Sequence, residues 1–552
     1  MSIVDHAVIV VYLAAMVGLG IWFSRRQKSA EEYFLAGRRM AWWAVGTSIT
    51  ASLLSSLTYL GEPGEVWSSG ATHMLGKMLG IPFEMLIVWL FLIPFMMRFR
   101  FTSAYEYLEY RFNTTARRLG LVLFLVMATL WMGFVVLASS RALAAVSGIP
   151  LPVIILTMGV VATVYTILGG LRAVIWTDVI QVVLLVGGGL FSIAAVAWMT
   201  ESWIPQWYAT TKQYLLQHAG EHKALPWFSA APRVRATIVT VAINMAVWYM
   251  CTHAANQMTV QRYFSTSDLK QARRSFLTGS VIDVFVNLML LVVGLALVHY
   301  YVGHGHPLPQ GIDIQVRQKR DLIFPAFAIG ELPPGVGGGI LAALLAAAMS
   351  SIDSGINAIA TVLCVELRDA RRRRDGTLTA DGQLPDQVRL ARWITLAGGA
   401  FITLAAWGLD YLPPGWGLID AMPRTFNAIV APLGSLFLIG IFLPRVGPRA
   451  AVLGVVLSLA VSLGIGYFQP LATWLVDRQM LSQATLDSCG LWDAKNGCPH
   501  SISFTWILPG SLVAGLAGAW VLSFLLRDRQ EPVPAFSWST RHASSPLVQK
   551  DQ

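Results

Sequence analysis

The amino-acid sequence predicts an all-α polytopic membrane protein with thirteen transmembrane helices, built around a core of two five-helix sets of opposite topology. Three observations predict it. Of 552 residues, 55% are hydrophobic and 13% are charged, whereas soluble domains carry about 25% charged residues. Apolar windows of about 18–25 residues, long enough to cross a bilayer as helix, occur at 7–24, 42–67, 74–98, 117–147, 151–169, 174–200, 236–262, 275–302, 337–366, 389–410, 420–443, 450–470 and 502–526. Setting the first aside, the next ten divide into 42–200 and 236–443; because each set holds an odd number of spans, the second runs inverted.

Taken in order, 7–24 follows Met1–His6, which carries no basic segment, and Arg25, Arg26 and Lys28 come after it. It therefore reads as a span rather than a cleavable leader. With the N-terminus outside, these cations share one face of the membrane with Arg98, Arg100, Arg117, Arg118, Arg273, Arg274, the run Arg371–Arg374, Arg445 and Arg449. That bias sets an orientation with the C-terminus cytoplasmic, in the plasma membrane, and explains the +10 formal charge without a nucleic-acid partner. The span at 42–67 carries Ser52, Ser55, Ser56 and Thr58, then Gly61, Pro63 and Gly64, which are expected to unwind it. The second set opens with 236–262, which holds Asn244, Thr252, His253, Asn256 and Gln257. Interrupted helices at matching positions of two halves point to a binding site at the membrane midplane.

Between the spans, the loops 201–235 and 303–336 have room for short helices, with Leu322–Leu332 reading as an amphipathic lid. Asn113-Thr-Thr lies on the cytoplasmic side, where glycosylation is not expected. Cys489 and Cys498 share an outer loop; a disulfide and two separate thiols are both open. The chain is thus one transmembrane domain over 1–526, with a Pro/Ser-rich cytoplasmic tail over 527–552 expected to be disordered. The bilayer and a small solute are its expected partners, and no obligate protein partner is inferred.

The span 337–366 carries the chemistry. Ser350, Asp353, Ser354 and Asn357 stand at i, i+3, i+4 and i+7, so they share one helix face, with Ser351 at its edge. Hydroxyl and carbonyl oxygens suit a hard cation; such a site would draw on this helix and on carbonyls freed in 42–67. Packing or back-bonding of the serines to their own helix is the alternative. A carboxylate in mid-membrane costs about 2.5–3.5 kcal/mol on insertion scales, which makes Asp353 a functional candidate. Asp178 is its possible partner, or else a helix-start acid favoured by the macrodipole.

The chain resembles the sodium/solute symporter family over about residues 5–526. The resemblance rests on Gly169-Gly-Leu-Arg-Ala-Val-Ile-Trp-Thr-Asp178-Val-Ile-Gln181, Asn256-Gln-Met-Thr-Val-Gln-Arg-Tyr263, and Leu332-Pro-Pro-Gly followed by Ala347-Ala-Met-Ser-Ser351. Thr102-Ser-Ala-Tyr-Glu-Tyr-Leu-Glu-Tyr-Arg-Phe112 looks most like the iodide, monocarboxylate and multivitamin branch. The resemblance implies the amino-acid/sodium symporter-like inverted-repeat fold. It also implies sodium as the coupling ion, bound by the carbonyls of Ala51, Leu54 and Ala347 and the hydroxyls of Ser350 and Ser351. A second sodium site known in sialic acid carriers maps to Asp178, Ser350, Asp353 and Ser354. Those carriers have serine at the Asp353 position, so a proton or a structural role is equally open.

For the solute, sugar carriers of this family place Asn, Glu and Gln where this chain has Leu53, Leu57 and Thr58, which argues against a sugar clasp. Tyr59, Thr252, His253 and Phe426 are further lining candidates. Arg141 and Arg424 could fork a carboxylate or snorkel to the interface. A tenfold sodium gradient supplies about 1.4 kcal/mol, and 100 mV adds about 2.3 kcal/mol per net charge moved. One sodium with a monoanion moves no net charge and forgoes the second term, so an anion would need the second site. The expectation is a sodium-coupled symporter, not an enzyme, importing a small organic solute, a carboxylate, by alternating access. Proton coupling, a sugar or sialic-acid substrate, and a transporter-like sensor are the alternatives.

Overall fold

Inside hydrocarbon every backbone polar group must be bonded within its own segment, and the apolar windows accordingly fold as helices. The computed structural model describes residues 1–24, 29–218, 227–229, 231–309, 311–375, 387–410, 418–493, 497–526 and 536–538. In chain order the principal helices are α1 (Ile3–Ser24), α2 (Trp42–Leu53), α3 (Ser56–Ser69), α4 (Thr72–Ile87), α5 (Thr114–Ser147), α6 (Leu151–Thr200) and α7 (Ile238–Ala255). They continue as α8 (Gln257–Phe264), α9 (Leu269–Val298), α10 (Val336–Asp375), α11 (Gln387–Leu409), α12 (Val430–Phe442), α13 (Pro448–Gly466) and α14 (Ile507–Leu525). Among the described residues, β structure is confined to a hairpin of Trp492–Asp493 against Cys498–Pro499.

Among the described residues, eleven helices are long and apolar enough to cross a membrane, against the thirteen spans expected. The difference has two physical causes. The span at 42–67 is divided into α2 and α3, each too short alone. The spans at 151–169 and 174–200 are two helical segments that follow one another without a loop, so α6 counts once although it holds both. They meet at a kink at Gly170, whose φ of 54° and ψ of −167° suit only a residue without a Cβ.

Each half opens on a broken helix, but the first break is not where glycine and proline suggest. Gly61, Pro63 and Gly64 lie inside α3. The chain instead turns extended at Leu54 (φ −84°, ψ 97°), and the Ser55 hydroxyl caps the restart by accepting from the Leu57 N–H at 3.2 Å. Asn256 repeats the device between α7 and α8: its backbone is extended, and its Oδ1 accepts from the Met258 N–H at 3.0 Å. A side-chain oxygen replacing a lost helix bond is the usual N-cap chemistry. Gly64 serves packing, because a Cβ there would meet the Arg320 carbonyl oxygen at 3.0 Å.

The centre belongs to α10, whose apolar window is 89% buried, whereas α1 and α11 bury 28% of theirs and form the periphery. α2 crosses α9 closely because Gly46 has no side chain; a Cβ there would lie 2.4 Å from the Ser275 carbonyl oxygen. The Thr50 hydroxyl fastens the crossing by donating to the Gly279 carbonyl at 2.9 Å, the small-residue and hydroxyl packing of membrane helices.

Outside the membrane core, the structure bears on the lid, the outer cysteines and part of the tail. The 322–332 lid is a short helix, Ile323–Gly330, with five residues buried, so it is a plug more than an amphipathic cover. Cys489 and Cys498 are separate thiols. Most of 527–552 lies outside the described residues, but Phe536 is fixed: its ring stacks on Phe99 at 5.5 Å and its carbonyl accepts from the Tyr107 hydroxyl at 3.0 Å. Asn113 is a helix cap, accepting from the Ala116 N–H at 2.9 Å.

Candidate functional site

The break between α2 and α3 lies against the serine face of α10. Carbonyls in the last turn of a helix have no partner within it, and the extended residue Leu54 leaves that turn open. The Ser350 hydroxyl lies 2.9 Å from the Ala51 carbonyl oxygen and 3.0 Å from that of Ala347. The Ser351 hydroxyl lies 3.5 Å from the Ala347 carbonyl. A small cavity bounded by Ala51, Leu54, Gln181, Leu185, Ala347 and Ser350 opens beside them. Neutral hard oxygens converging on a small dry space can replace the hydration shell of a monovalent cation.

One turn further along α10, the second expected cluster comes together around a group not foreseen in it, Arg262 of α8. Its Nη2 lies 3.0 Å from Asp178 Oδ2 and 2.5 Å from Ser354 Oγ, its Nε donates to Ser48 Oγ at 2.7 Å, and its Nη1 donates to the Met258 carbonyl at 2.6 Å. Ser48 donates to the same Asp178 oxygen at 2.5 Å. Asp353 accepts from the Tyr165 hydroxyl at 2.8 Å and from Ser354 Oγ at 3.2 Å, so the Ser354 hydroxyl stands between it and the guanidinium. Two fully buried carboxyl groups thus share one fixed cation.

Between the halves lies a partly open cavity whose wall draws on α2, α3, α4, α7 and α9. Of the lining residues expected, Leu53, Thr58, Thr252 and Phe426 are in its wall. The others are placed elsewhere. Leu57 and Tyr59 are fully buried on different sides of α3, Tyr59 packing on Phe324 of the plug at 5.1 Å. His253 lies behind the wall, with Nε2 3.0 Å from Glu84 and Nδ1 2.5 Å from the Tyr263 hydroxyl. Arg141 is 43% exposed and paired with Asp410 at 2.8 Å. Arg424 donates to the carbonyl of Asp420 at 3.0 Å, one turn back on its own short helix, and to that of Ile502 at 3.4 Å. Neither arginine reaches the cavity.

The ionisable groups in its wall are Glu62, His73, Lys77, Tyr249 and Asp283, with the amides of Asn244, Asn256 and Asn427 beside them. Glu62 takes Lys77 Nζ on one oxygen at 2.9 Å and His73 Nδ1 on the other at 3.0 Å. Asp283 accepts from the Tyr249 hydroxyl at 2.5 Å. Trp131, Trp248 and Phe426 supply an aromatic wall, Trp131 and Phe426 lying parallel with centroids 6.0 Å apart. The signal for these residues stood in the sequence: Lys77 and Asp283 are ionisable groups inside apolar windows, which mark function by default.

A model of the sodium:solute symporter family matches residues 33–458. The sodium/sialic acid symporter of Proteus mirabilis is 31% identical over 465 residues, covering 84% of this chain and 90% of the relative. The human sodium/iodide cotransporter is 30% identical over 467 residues, covering 84% of this chain and 69% of the relative. In three dimensions the chain is similar to a substrate-bound, outward-open sodium-coupled sialic acid symporter, with a TM-score of 0.77 at 27% identity, covering 96% of this chain and 99% of the other. A nucleobase-cation-symport-1 family transporter matches at a TM-score of 0.55 and 12% identity, covering 91% and 98%, which shows the shared fold.

Proposed function

The chain belongs to the sodium:solute symporter family, and from that premise we propose that it imports a small organic carboxylate by alternating access, one sodium ion moving with each solute. Sodium-coupled solute transport by a multi-pass membrane protein, without enzymatic chemistry, comes with the family. The finer reading rests on one observation. The carbonyls of Ala51 and Ala347 and the hydroxyl of Ser350 meet within hydrogen-bond distance at the break between α2 and α3. With Leu54 and Ser351 beside them, these residues are proposed to hold the sodium ion. Because the ion bridges a broken helix of one half and α10 of the other, its binding favours one arrangement of the halves, and its release permits the other.

Lys77 supplies an ammonium group to the cavity wall, and it is proposed to receive the solute carboxylate, in place of Arg141 and Arg424. The protein is proposed to lie in the plasma membrane with the N-terminus outside, the orientation supported by its basic loops. A second sodium among Asp178, Ser350, Asp353 and Ser354 is disfavoured, because the Arg262 guanidinium already supplies the positive charge there. The two carboxyl groups around that one guanidinium favour a second reading, in which Asp353 carries a proton that exchanges during the cycle.

Uptake into proteoliposomes tests both readings. Sodium-dependent uptake lost in the Ser350→Ala, Ser351→Ala double variant is expected; uptake indifferent to replacement of sodium by N-methylglucamine refutes sodium coupling. Uptake driven by a pH gradient alone, and lost in Asp353→Ser, establishes the proton reading. Solute binding with no transport under either gradient identifies a sensor.

A further inference from the structure

We infer that the solute is a zwitterion, whose ammonium group pairs with Asp283 and whose carboxylate pairs with Lys77. This rests on the symport reading above and specifies its cargo.

The charges in the cavity wall are not matched in the same way. Glu62 is satisfied on both oxygens by Lys77 and His73. Asp283 has neutral partners, the Tyr249 hydroxyl at 2.5 Å and the Asn287 amide, and among the described residues no lysine or arginine is bonded to it. The cation that acts on it through space, Lys77, is already engaged with Glu62. The unmatched charge facing the solute is therefore negative. A simple carboxylate entering this space would meet another carboxylate in a medium where like charges repel strongly. A solute carrying an ammonium group beside its carboxylate removes the conflict. The ammonium forms a charge-assisted bond with Asp283, and the faces of Trp131, Trp248 and Phe426 offer it the π surface that cations favour. The Lys77 ammonium has three donors, one of them spent on Glu62, so a carboxylate can still be bound.

The driving force agrees. With Arg262 in place of a second ion, one sodium accompanies each solute. A monoanion then crosses without net charge, and a tenfold sodium gradient can accumulate it about tenfold. A zwitterion leaves the full charge of the sodium to be pulled by the membrane potential, and 100 mV multiplies that accumulation by about fifty.

The test uses the full-length protein. Its thermal unfolding is followed in detergent, in sodium or N-methylglucamine chloride, against four groups of probes. These are the common amino acids with glycine betaine, their N-acetyl and carboxamide derivatives, monoanions including pyruvate and sialic acid, and neutral sugars. At least one zwitterion should stabilise the protein in sodium, with each blocked derivative needing about tenfold or more concentration for the same shift. The same zwitterion should evoke a sodium-dependent inward current in proteoliposomes, and Asp283→Asn should raise its half-saturating concentration by a similar factor while leaving the shift caused by sodium alone. Stabilisation by a monoanion or sugar but by no zwitterion overturns the inference, as does an N-acetyl or carboxamide derivative equal to its parent. The blocked derivatives are read on the unaltered protein, so the test decides the matter even if the Asp283 variant misfolds. A protein indifferent to sodium under every condition instead overturns the symport reading.

Discussion

Replacing Arg262 by glutamine isolates the buried cation that stands where a second sodium was expected. The guanidinium, 1% exposed, bonds Asp178, Ser354, Ser48 and the Met258 carbonyl. Removing one partner of such a pair costs about 3–5 kcal/mol, because the other charge stays buried and unmatched. Asp178 is fully buried, so the upper part of that range applies. The vacated volume is rimmed by Asp178, Ser48 and Ser354, with Asp353 beyond, an oxygen set suited to sodium. At a hundredfold excess over its dissociation constant, sodium would restore about 2.7 kcal/mol. Arg262→Gln should therefore be strongly destabilised in N-methylglucamine chloride and partly rescued by sodium, more steeply than the unaltered protein. The Asp178→Asn, Arg262→Gln double variant should regain stability without sodium. Thermal unfolding at constant ionic strength reads all three. Equal losses in the single and double variants, or a steeper sodium response in the unaltered protein, would refute the reasoning.

Three further outcomes are expected. Lys77→Met should lower stability by about 3–5 kcal/mol and Lys77→Met with Glu62→Gln by clearly less; additive losses in thermal unfolding would mean that the 2.9 Å pair is not coupled. Gly46→Ala should cost about 1–3 kcal/mol through overpacking, since its Cβ would lie 2.4 Å from the Ser275 carbonyl oxygen; unchanged unfolding would contradict the tight α2–α9 crossing. Arg141→Gln should change stability by less than about 1 kcal/mol and leave uptake intact, because the side chain is 43% exposed and paired with Asp410; lost uptake would return it to the solute path.

Helical periodicity made the serine face of α10 legible, because side chains spaced three and four apart must point together whatever surrounds them. The Ala51 and Ala347 carbonyls came from resemblance, since no periodicity marks a backbone oxygen. The expected break lies about two turns from the observed one for a physical reason. Pro63 and Gly64 look disruptive, but in a packed membrane helix neighbours tolerate both, whereas Ser55 interrupts the helix by offering its own oxygen to the Leu57 N–H. Arg262 lies inside a family motif, yet α8 is too short to announce itself as buried, so the arginine looks like any other cation near a membrane surface. Lys77 and Asp283 are hidden in windows judged by mean polarity, an average that conceals a single charge. Arg141 and Arg424 mislead for the opposite reason: a cation near a helix end has nearby carboxylates and carbonyls to satisfy it, and tertiary structure alone decides which it takes.

The polar helix α8 also bears on how the chain enters the membrane. Its eight residues reach about 12 Å, far less than a bilayer, and Gln257, Gln261 and Arg262 are all buried. Such a segment cannot partition into lipid by itself. Its guanidinium needs Asp178 from the first half, and Gln261 needs Asn357 and Thr361, 3.0 and 2.9 Å away on α10. During synthesis the first half is complete before α8 emerges, whereas α10 is not. The order of translation thus gives α8 one partner early and the other late, so its docking is a step of biogenesis that waits on α10. In a nascent chain halted before residue 336, a cysteine placed in α8 should still react with a water-soluble thiol reagent, and it should become protected once α10 has been made.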